Sequence, residues 1–223
     1  MCGRFTLAAE AAELQLTFGL EPTLTEWKPR FNIAPSQPVA VVSQFKDRRM
    51  ELMRWGLIPS WAKDASIGNR LINARAETVS IKPSLRQAFQ KRRCLVLANG
   101  FYEWKRDPEL RAPSQPYYFQ LKDRQPFAFA GLWDTWVSPE GNTVHSCTLI
   151  TCQANELVAA VQARMPVILD SHIAWDWLAD ISPTNLLALL VPYPSEKMSS
   201  GAVGRGVNRP ENDDPACIQP LAG

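Results

Sequence analysis

The second residue of the chain is a cysteine, in the opening Met1-Cys2-Gly3-Arg4-Phe5. Once the initiator methionine is removed, Cys2 carries an α-amine and a thiol on neighbouring carbons. The amine condenses with an aldehyde, and the thiol then closes onto the imine to give a five-membered thiazolidine. An α-amine titrates at roughly 7.7–8.0, so a useful fraction is unprotonated near neutral pH. The thiolate is also an intrinsically strong nucleophile. Only position 2 offers both groups. Taken alone, a cysteine there reads as chance, and the segments that follow reverse that reading.

Three further segments concentrate polar chemistry. In Leu71-Ile72-Asn73-Ala74-Arg75-Ala76-Glu77-Thr78 an apolar approach is followed by polar groups at alternating positions. On an extended segment Asn73, Arg75 and Glu77 share one face, although a solvated edge strand has the same pattern. In Cys94-Leu95-Val96-Leu97-Ala98-Asn99-Gly100-Phe101-Tyr102-Glu103-Trp104 an apolar strand turns at glycine and delivers a carboxylate between two aromatics. Partial desolvation there raises a carboxyl pKa toward the range useful for acid–base work. The wet face of an amphipathic strand is the other reading of Glu103. In Ala163-Arg164-Met165-Pro166-Val167-Ile168-Leu169 an arginine ends a helix and proline starts an extended run.

The elements that must position these groups are short. Residues 8–18 read as a helix with Leu14, Leu16 and Phe18 toward the core and Gly19 as its stop. Residues 29–37 read as a loop, 39–43 and 51–55 as strands across a polar turn at 46–49, and 59–72 as irregular. A short helix starts at Ser84 as N-cap and ends near Lys91-Arg92-Arg93, a run that reads as a solvated helix end, with a nucleic-acid patch as the other reading. Strands follow at 94–98, 101–105, 117–122, 127–132 and 144–151. Residues 155–163, 171–178 and 183–190 read as helices, the last with proline in its first turn, and 195–206 as a loop. Trp55, Trp133 and Trp175 are assigned to the core. Eighteen prolines and many short strands favour a β-rich α+β domain, its antiparallel sheets curled around one core and flanked by short helices.

At 223 residues the chain is long enough to bury a real core in a single domain, 1–223. No stretch approaches the roughly 20 apolar residues of a membrane span. The start lacks a secretion signal, so a cytoplasmic location is expected. The five cysteines are scattered with no CxxC, and His145 and His172 complete no zinc pattern. Free thiols, no metal site and no cofactor follow. Residues 1–111 hold 18 Lys and Arg against 11 Asp and Glu, while the remainder reverses the balance. A basic face for a polyanion is one consequence.

Taken together and in this order, the segments resemble the SRAP family, the proteins that shield abasic sites in single-stranded DNA. The resemblance rests on Met1-Cys2-Gly3-Arg4-Phe5, Asn32-Ile33-Ala34-Pro35, Trp55-Gly56-Leu57-Ile58-Pro59-Ser60-Trp61, Ile72-Asn73-Ala74-Arg75-Ala76-Glu77-Thr78, Gly100-Phe101-Tyr102-Glu103-Trp104 and Arg164-Met165-Pro166-Val167-Ile168-Leu169, and extends to Val207-Asn208 and Asn212-Asp213. It implies an SRAP-like fold and covalent capture of the ring-opened abasic aldehyde. Cys2 is then the nucleophile, Asn73 holds its amine or thiol, and Glu103 moves protons. Arg4, Arg75 and Arg164 are assigned to phosphates, and Trp61 and Trp104 to stacking on bases or the sugar, a combination that suits sequence-tolerant single-strand binding. Core packing is the other reading of the two tryptophans.

One position departs from the family pattern. A catalytic histidine usually stands two residues before the arginine of the Arg-x-Pro segment, where this chain has Gln162. Glutamine donates and accepts hydrogen bonds but carries no proton near pH 7. Two other functions fit the same residues. A thiol autopeptidase, as the family's name implies, would normally need a histidine base beside the thiol. A non-catalytic single-stranded-DNA-binding module would treat the missing histidine as lost chemistry. The expected partner is single-stranded DNA containing abasic sites, bound by a monomer without membrane or metal.

Overall fold

The apolar runs pair into two sheets. The computed structural model describes residues 2–21, 28–44, 48–105 and 114–221. In chain order its elements are β1 (Phe5–Leu7), α1 (Ala11–Phe18), β2 (Arg30–Ile33), β3 (Pro38–Ser43), β4 (Met50–Trp55), β5 (Asn73–Arg75), α2 (Arg86–Lys91), β6 (Arg93–Ala98), β7 (Gly100–Lys105), β8 (Gln115–Leu121), β9 (Phe127–Val137), β10 (Thr143–Gln153), α3 (Glu156–Ala159), β11 (Arg164–Pro166), β12 (Ile168–Leu169), α4 (Ala174–Leu178), α5 (Pro183–Ala188) and β13 (Met198–Ala202), with 3-10 turns between them. The fold is α+β and mostly sheet.

One sheet has the order β13-β8-β7-β1-β2, and the other β11-β10-β4-β3-β6-β9-β12, with β5 also on β10. Because β9 pairs with β10 as well, β10, β4, β3, β6 and β9 close into a ring. Closure removes the unpaired edges on which sheets aggregate. Most ladders are antiparallel, but β10 runs parallel to β4 and to β5. Strand β6 is buried at every position, as a strand covered on both faces must be. Trp177 of α4 closes one side of it, donating its indole N–H toward Cys94 O at 3.1 Å and Gly131 O at 3.2 Å.

The sheets meet through aromatics. Phe5 of β1 sets its ring 5.1 Å from Trp55 and 5.5 Å from Phe129, both edge-on. Phe101 of β7 stacks on Phe119 at 5.1 Å and reaches Phe129 at 6.2 Å. Burying each such ring contributes roughly 1.5–3 kcal/mol, so the first strand is firmly anchored just downstream of Cys2 and Arg4.

Several sequence expectations need correction. Residues 30–33 form a strand because β1 offers an antiparallel partner. The expected loop at 195–206 contains β13, which pairs with β8 over five residues. Its Ser-Ser-Gly composition carries little strand propensity, and pairing overrides it. Leu85, not Ser84, is the N-cap of α2, and the helix expected over 155–163 is a single turn. Leu16 is 87% exposed, because only Leu14 and Phe18 of α1 lie on the core stripe. Part of the turn at 46–49 falls outside the described residues. Trp55 is fully buried, whereas Trp133 and Trp175 are half-buried against the core.

The basic run is not a solvated end. Arg93 is buried, and its guanidinium donates to Phe89 O, Gln90 O, Trp177 O and Ala179 O at 2.7–2.9 Å. Those carbonyls belong to the ends of α2 and α4, which have no intrahelical partners. One fork-shaped cation therefore caps two helices, a task an ammonium cannot reproduce.

A single residue, Asn99, joins β6 to β7 and carries the chain from one sheet to the other. Gly100 follows because Tyr118 occupies the space a side chain would need: a Cβ there would run into its ring and hydroxyl. That hydroxyl lies 2.9 Å from Thr6 Oγ1, and Tyr118 is only 6% exposed, so it has nowhere to retreat. Gly100→Ala is expected to destabilise the fold by about 1–3 kcal/mol through this overpacking. Urea unfolding with an unchanged m-value would measure it, and a wild-type midpoint would refute the close-approach argument.

Candidate functional site

The amino-terminal segment enters the site as an extension of β1. Strand β1 pairs with β7, Phe5 opposite Phe101, and the Tyr102 amide donates to Arg4 O at 3.0 Å. Cys2 is thereby carried along β7 toward Glu103 and is fully buried. Its thiol points to Arg4 O at 3.7 Å. Burial first, then the charge of Glu103, pushes the thiol well above its ordinary titration range. As encoded, Cys2 is a protonated thiol that needs a base to act.

Asn73 comes from the other sheet. Strand β5 lies parallel to β10, with Asn73 opposite Leu149. Its Nδ2 donates to the backbone carbonyl of Cys2 at 2.7 Å, and Oδ1 is a buried acceptor without a hydrogen-bond partner among the described residues. The amide thus grips the cysteine by its carbonyl, not by the amine or thiol that the sequence reading assigned to it.

Glu103 is 2% exposed. Burial raises its carboxyl pKa to about 7, opposed first by the positive charge of the amino terminus and a hydrogen bond from it, and then by a hydrogen bond from Gln162. Gln162 arrives just after α3, whose N-cap Asn155 accepts from the Val158 amide at 3.0 Å. The Gln162 amide closes the turn onto Val158 O at 2.8 Å. Strand β11 then pairs with β10 on the edge away from β5, so β10 spaces Asn73 and Gln162 around one centre. Cys2, Asn73, Glu103 and Gln162 stand together. His145 is exposed beside Thr135 and His172 is exposed ahead of α4, and neither acts on the Cys2 thiol.

The cations and tryptophans divide. Arg75, at the end of β5, is exposed, and its charge helps to lower the Glu77 carboxyl. Arg164 is a brace: it holds Glu77 through two 2.9 Å bonds and donates to Thr151 O at 2.6 Å. That ion pair keeps the Glu77 carboxyl below its usual range and takes Glu77 out of the shared face drawn from the sequence. Arg4 donates to Asn32 Oδ1 and Val207 O, both at 2.7 Å, and its guanidinium lies 5.9 Å over the Trp104 ring. Trp104 is half-buried and donates to Asn208 Oδ1 at 2.7 Å. Trp61 is 62% exposed.

Sequence reasoning gave no role to the residues that hold Arg4 and Trp104. Buried Asn32 uses its Nδ2 on Val207 O, Arg209 O and Asn212 O at 2.6–3.2 Å. Asp213 accepts from the Phe31 and Asn32 amides and from the Arg30 guanidinium. Tyr102 donates to Phe31 O at 2.7 Å. These contacts wrap the 203–214 segment around the root of the site. The signal was there: Asn32-Ile33-Ala34-Pro35, Val207-Asn208 and Asn212-Asp213 are segments the resemblance had singled out. Among the described residues no three His, Cys, Asp or Glu are grouped to hold a metal, and no helix is long and apolar enough to cross a membrane.

This arrangement can be set beside known proteins. The chain is 43% identical over 225 residues to the abasic site processing protein YoqW of Bacillus subtilis (strain 168), an alignment covering 98% of this chain and 99% of that protein. It is 31% identical over 265 residues to the abasic site processing protein HMCES of Gallus gallus, covering 99% and 78%. A crystal structure of a protein from Bacteroides thetaiotaomicron superposes with a TM-score of 0.90 at 26% identity, covering 99% of this chain and 100% of that one. The family model described as SOS response associated peptidase (SRAP) matches residues 1–210. With the match spanning both sheets and every residue of the site, the chain belongs to the SRAP family.

Proposed function

We propose that this protein captures abasic sites in single-stranded DNA through Cys2, after loss of Met1. The observation that carries this reading is the gathering of buried Cys2, held at its carbonyl by the Asn73 amide, with the buried Glu103 carboxyl, which burial raises to about 7. The names of the abasic site processing relatives support the same substrate. The α-amine adds to the open-chain deoxyribose aldehyde, and the carbinolamine loses one water to give an imine. The thiol then adds across C=N, sulfur to carbon and proton to nitrogen. One water leaves and nothing is oxidised, so the step calls for no redox partner.

Each side chain has a task in that sequence. Protonated Glu103 donates to the departing hydroxyl, and as carboxylate it accepts the thiol proton. Asn73 fixes the Cys2 carbonyl, so the amine and thiol meet the aldehyde at high effective molarity. Gln162 is a positioning residue that orients the Glu103 carboxyl. Arg75 meets the strand's phosphates, Trp61 and Trp104 offer faces for stacking, and Arg4 and Arg164 shape the walls that such a strand would follow. A cysteine peptidase is less well supported, because no histidine stands beside the thiol.

Denaturing gels test the reading first. A single-stranded oligonucleotide with one abasic site is expected to give a slow-migrating band with wild type, and none with Cys2→Ala or with an intact-base strand. Absence of the band from protein lacking Met1 would overturn covalent capture.

The pH dependence is a separate check. The amine must be neutral, which requires pH above roughly 7.7–8.0, whereas Glu103 as acid must be protonated, which is lost as pH rises through about 7. The adduct-formation rate is therefore expected to peak between pH 7 and 8. Glu103→Gln should lower it by about 10²–10⁴-fold and remove the alkaline limb. An unchanged profile in that variant assigns the limb elsewhere.

Gln162→His places a proton carrier beside Glu103. Ring opening and adduct release are expected to accelerate, up to about 10²-fold, in single-turnover formation and competitor-chase release. Identical rates in both assays would show that position 162 has no part in proton transfer.

A further inference from the structure

Three side chains on one face of the β9–β10 hairpin reach the backbone of a single turn. Asp134 and Ser146 stand opposite each other in the ladder, and Trp136 follows two residues after Asp134, so all three share a face. Ser146 Oγ accepts from the Ile58 amide at 2.8 Å, and Asp134 Oδ2 accepts from the Ser60 amide at 3.0 Å. The Trp136 indole donates to Ala62 O at 2.8 Å. Within the turn, the Ala62 amide donates to Pro59 O at 2.8 Å. Arg92 completes the brace through an ion pair, its Nε 3.2 Å from Oδ1 of Asp134, which is 7% exposed.

The residue inside this clamp is Trp61. Its backbone neighbours Ser60 and Ala62 are both gripped, yet its side chain is 62% exposed. Burial of the indole therefore does not account for the clamp. A large ring on a slack turn would lose conformational entropy on meeting a ligand, and a turn fixed in advance avoids that loss. Strand β10 also ties the turn to the candidate site. Ser146 lies three residues ahead of Leu149, the partner of Asn73, or roughly 10 Å along the strand.

We propose that Asp134 is a positioning residue for strand binding: with Ser146 and Trp136 it fixes the 58–62 turn so that Trp61 presents its ring to single-stranded DNA. The inference rests on capture of a DNA strand and adds to it residues that act only through Trp61. A carboxylate would repel phosphates if it met them, so any gain in binding from Asp134 passes through the turn it holds.

A double-mutant cycle on binding tests this. The probe is a labelled single-stranded oligonucleotide carrying a tetrahydrofuran residue, an abasic analogue without an aldehyde, so that binding alone is measured. Trp61→Ala is expected to weaken binding by about tenfold or more, the loss of one stacked base. Asp134→Ala is expected to weaken it by about three- to tenfold when Trp61 is present, and to add nothing in the Trp61→Ala background. Asp134→Asn keeps an acceptor for the Ser60 amide and is expected to recover most of the loss. If Asp134→Ala fails to fold, Trp136→Phe, which deletes only the indole N–H, is expected to show a smaller loss with the same dependence on Trp61.

Wild-type binding by Trp61→Ala, an equal loss in both backgrounds, or an Asp134→Asn protein as weak as Asp134→Ala would overturn the positioning role. Coupling on the tetrahydrofuran probe, without a denaturation-stable adduct on a true abasic strand, would keep that role and lose the capture chemistry. An adduct without any coupling would do the reverse.

Discussion

The hydrogen bond from the Tyr102 amide to the Arg4 carbonyl extends the β1–β7 ladder one rung toward the amino terminus, and the site is built on that rung. Chain ends ordinarily fray, because little holds them. Here Phe5 is locked between Trp55 and Phe129 immediately downstream, and the Asn73 amide takes the Cys2 carbonyl immediately upstream. The cysteine is thus held from both sheets at once. A nucleophile near a chain terminus, the role proposed for Cys2, has the most conformational freedom to lose, so advance fixation by the fold would yield the largest gain in effective concentration.

Beside it the Arg4 side chain is half-buried, and the fold offsets the desolvation of its guanidinium with specific acceptors. Arg4 finds Asn32 Oδ1 and the Val207 carbonyl, and desolvation lowers its pKa from the ordinary arginine value. Asn32 in turn ties down three carbonyls of the C-terminal wrap, while Asp213 reaches back to the amides of residues 31 and 32. The last part of the chain therefore secures the first. This explains why motif residues with no apparent chemistry lie so far apart in sequence: they form one polar hub, and a partly satisfied buried hub costs more than an apolar one.

Much of this was legible beforehand, in a graded way. Strands such as 94–98 and the positive-φ stop at Gly19 were readable because periodicity and local stereochemistry determine them. Strands β2 and β13 were not, because their own residues scarcely favour a strand and the partner that recruits them is remote. Arg93 misled for the same reason: three adjacent cations look solvated until two helix ends converge on one of them. In the site, the residue types were visible, but the contact each makes was not. Asn73 and Arg164 are polar at the right places, yet one holds a backbone carbonyl and the other an ion pair, details set by how β5 and β11 flank β10.

The partner of Glu103 follows from the same logic. A buried carboxyl near 7 is held there by desolvation, and any charged neighbour would move it. A cation at position 162 would stabilise the carboxylate, lower its pKa and leave less acid available at neutral pH. A neutral amide donates one hydrogen bond without that Coulombic pull, so Glu103 remains divided between acid and base forms at neutral pH. The proposed capture uses both forms in turn, one to release water from the carbinolamine and one to take the thiol proton. With glutamine at 162, the proposed capture leaves a single carboxyl to serve both steps, raised by burial against the opposing pull of the amino terminus and of Gln162.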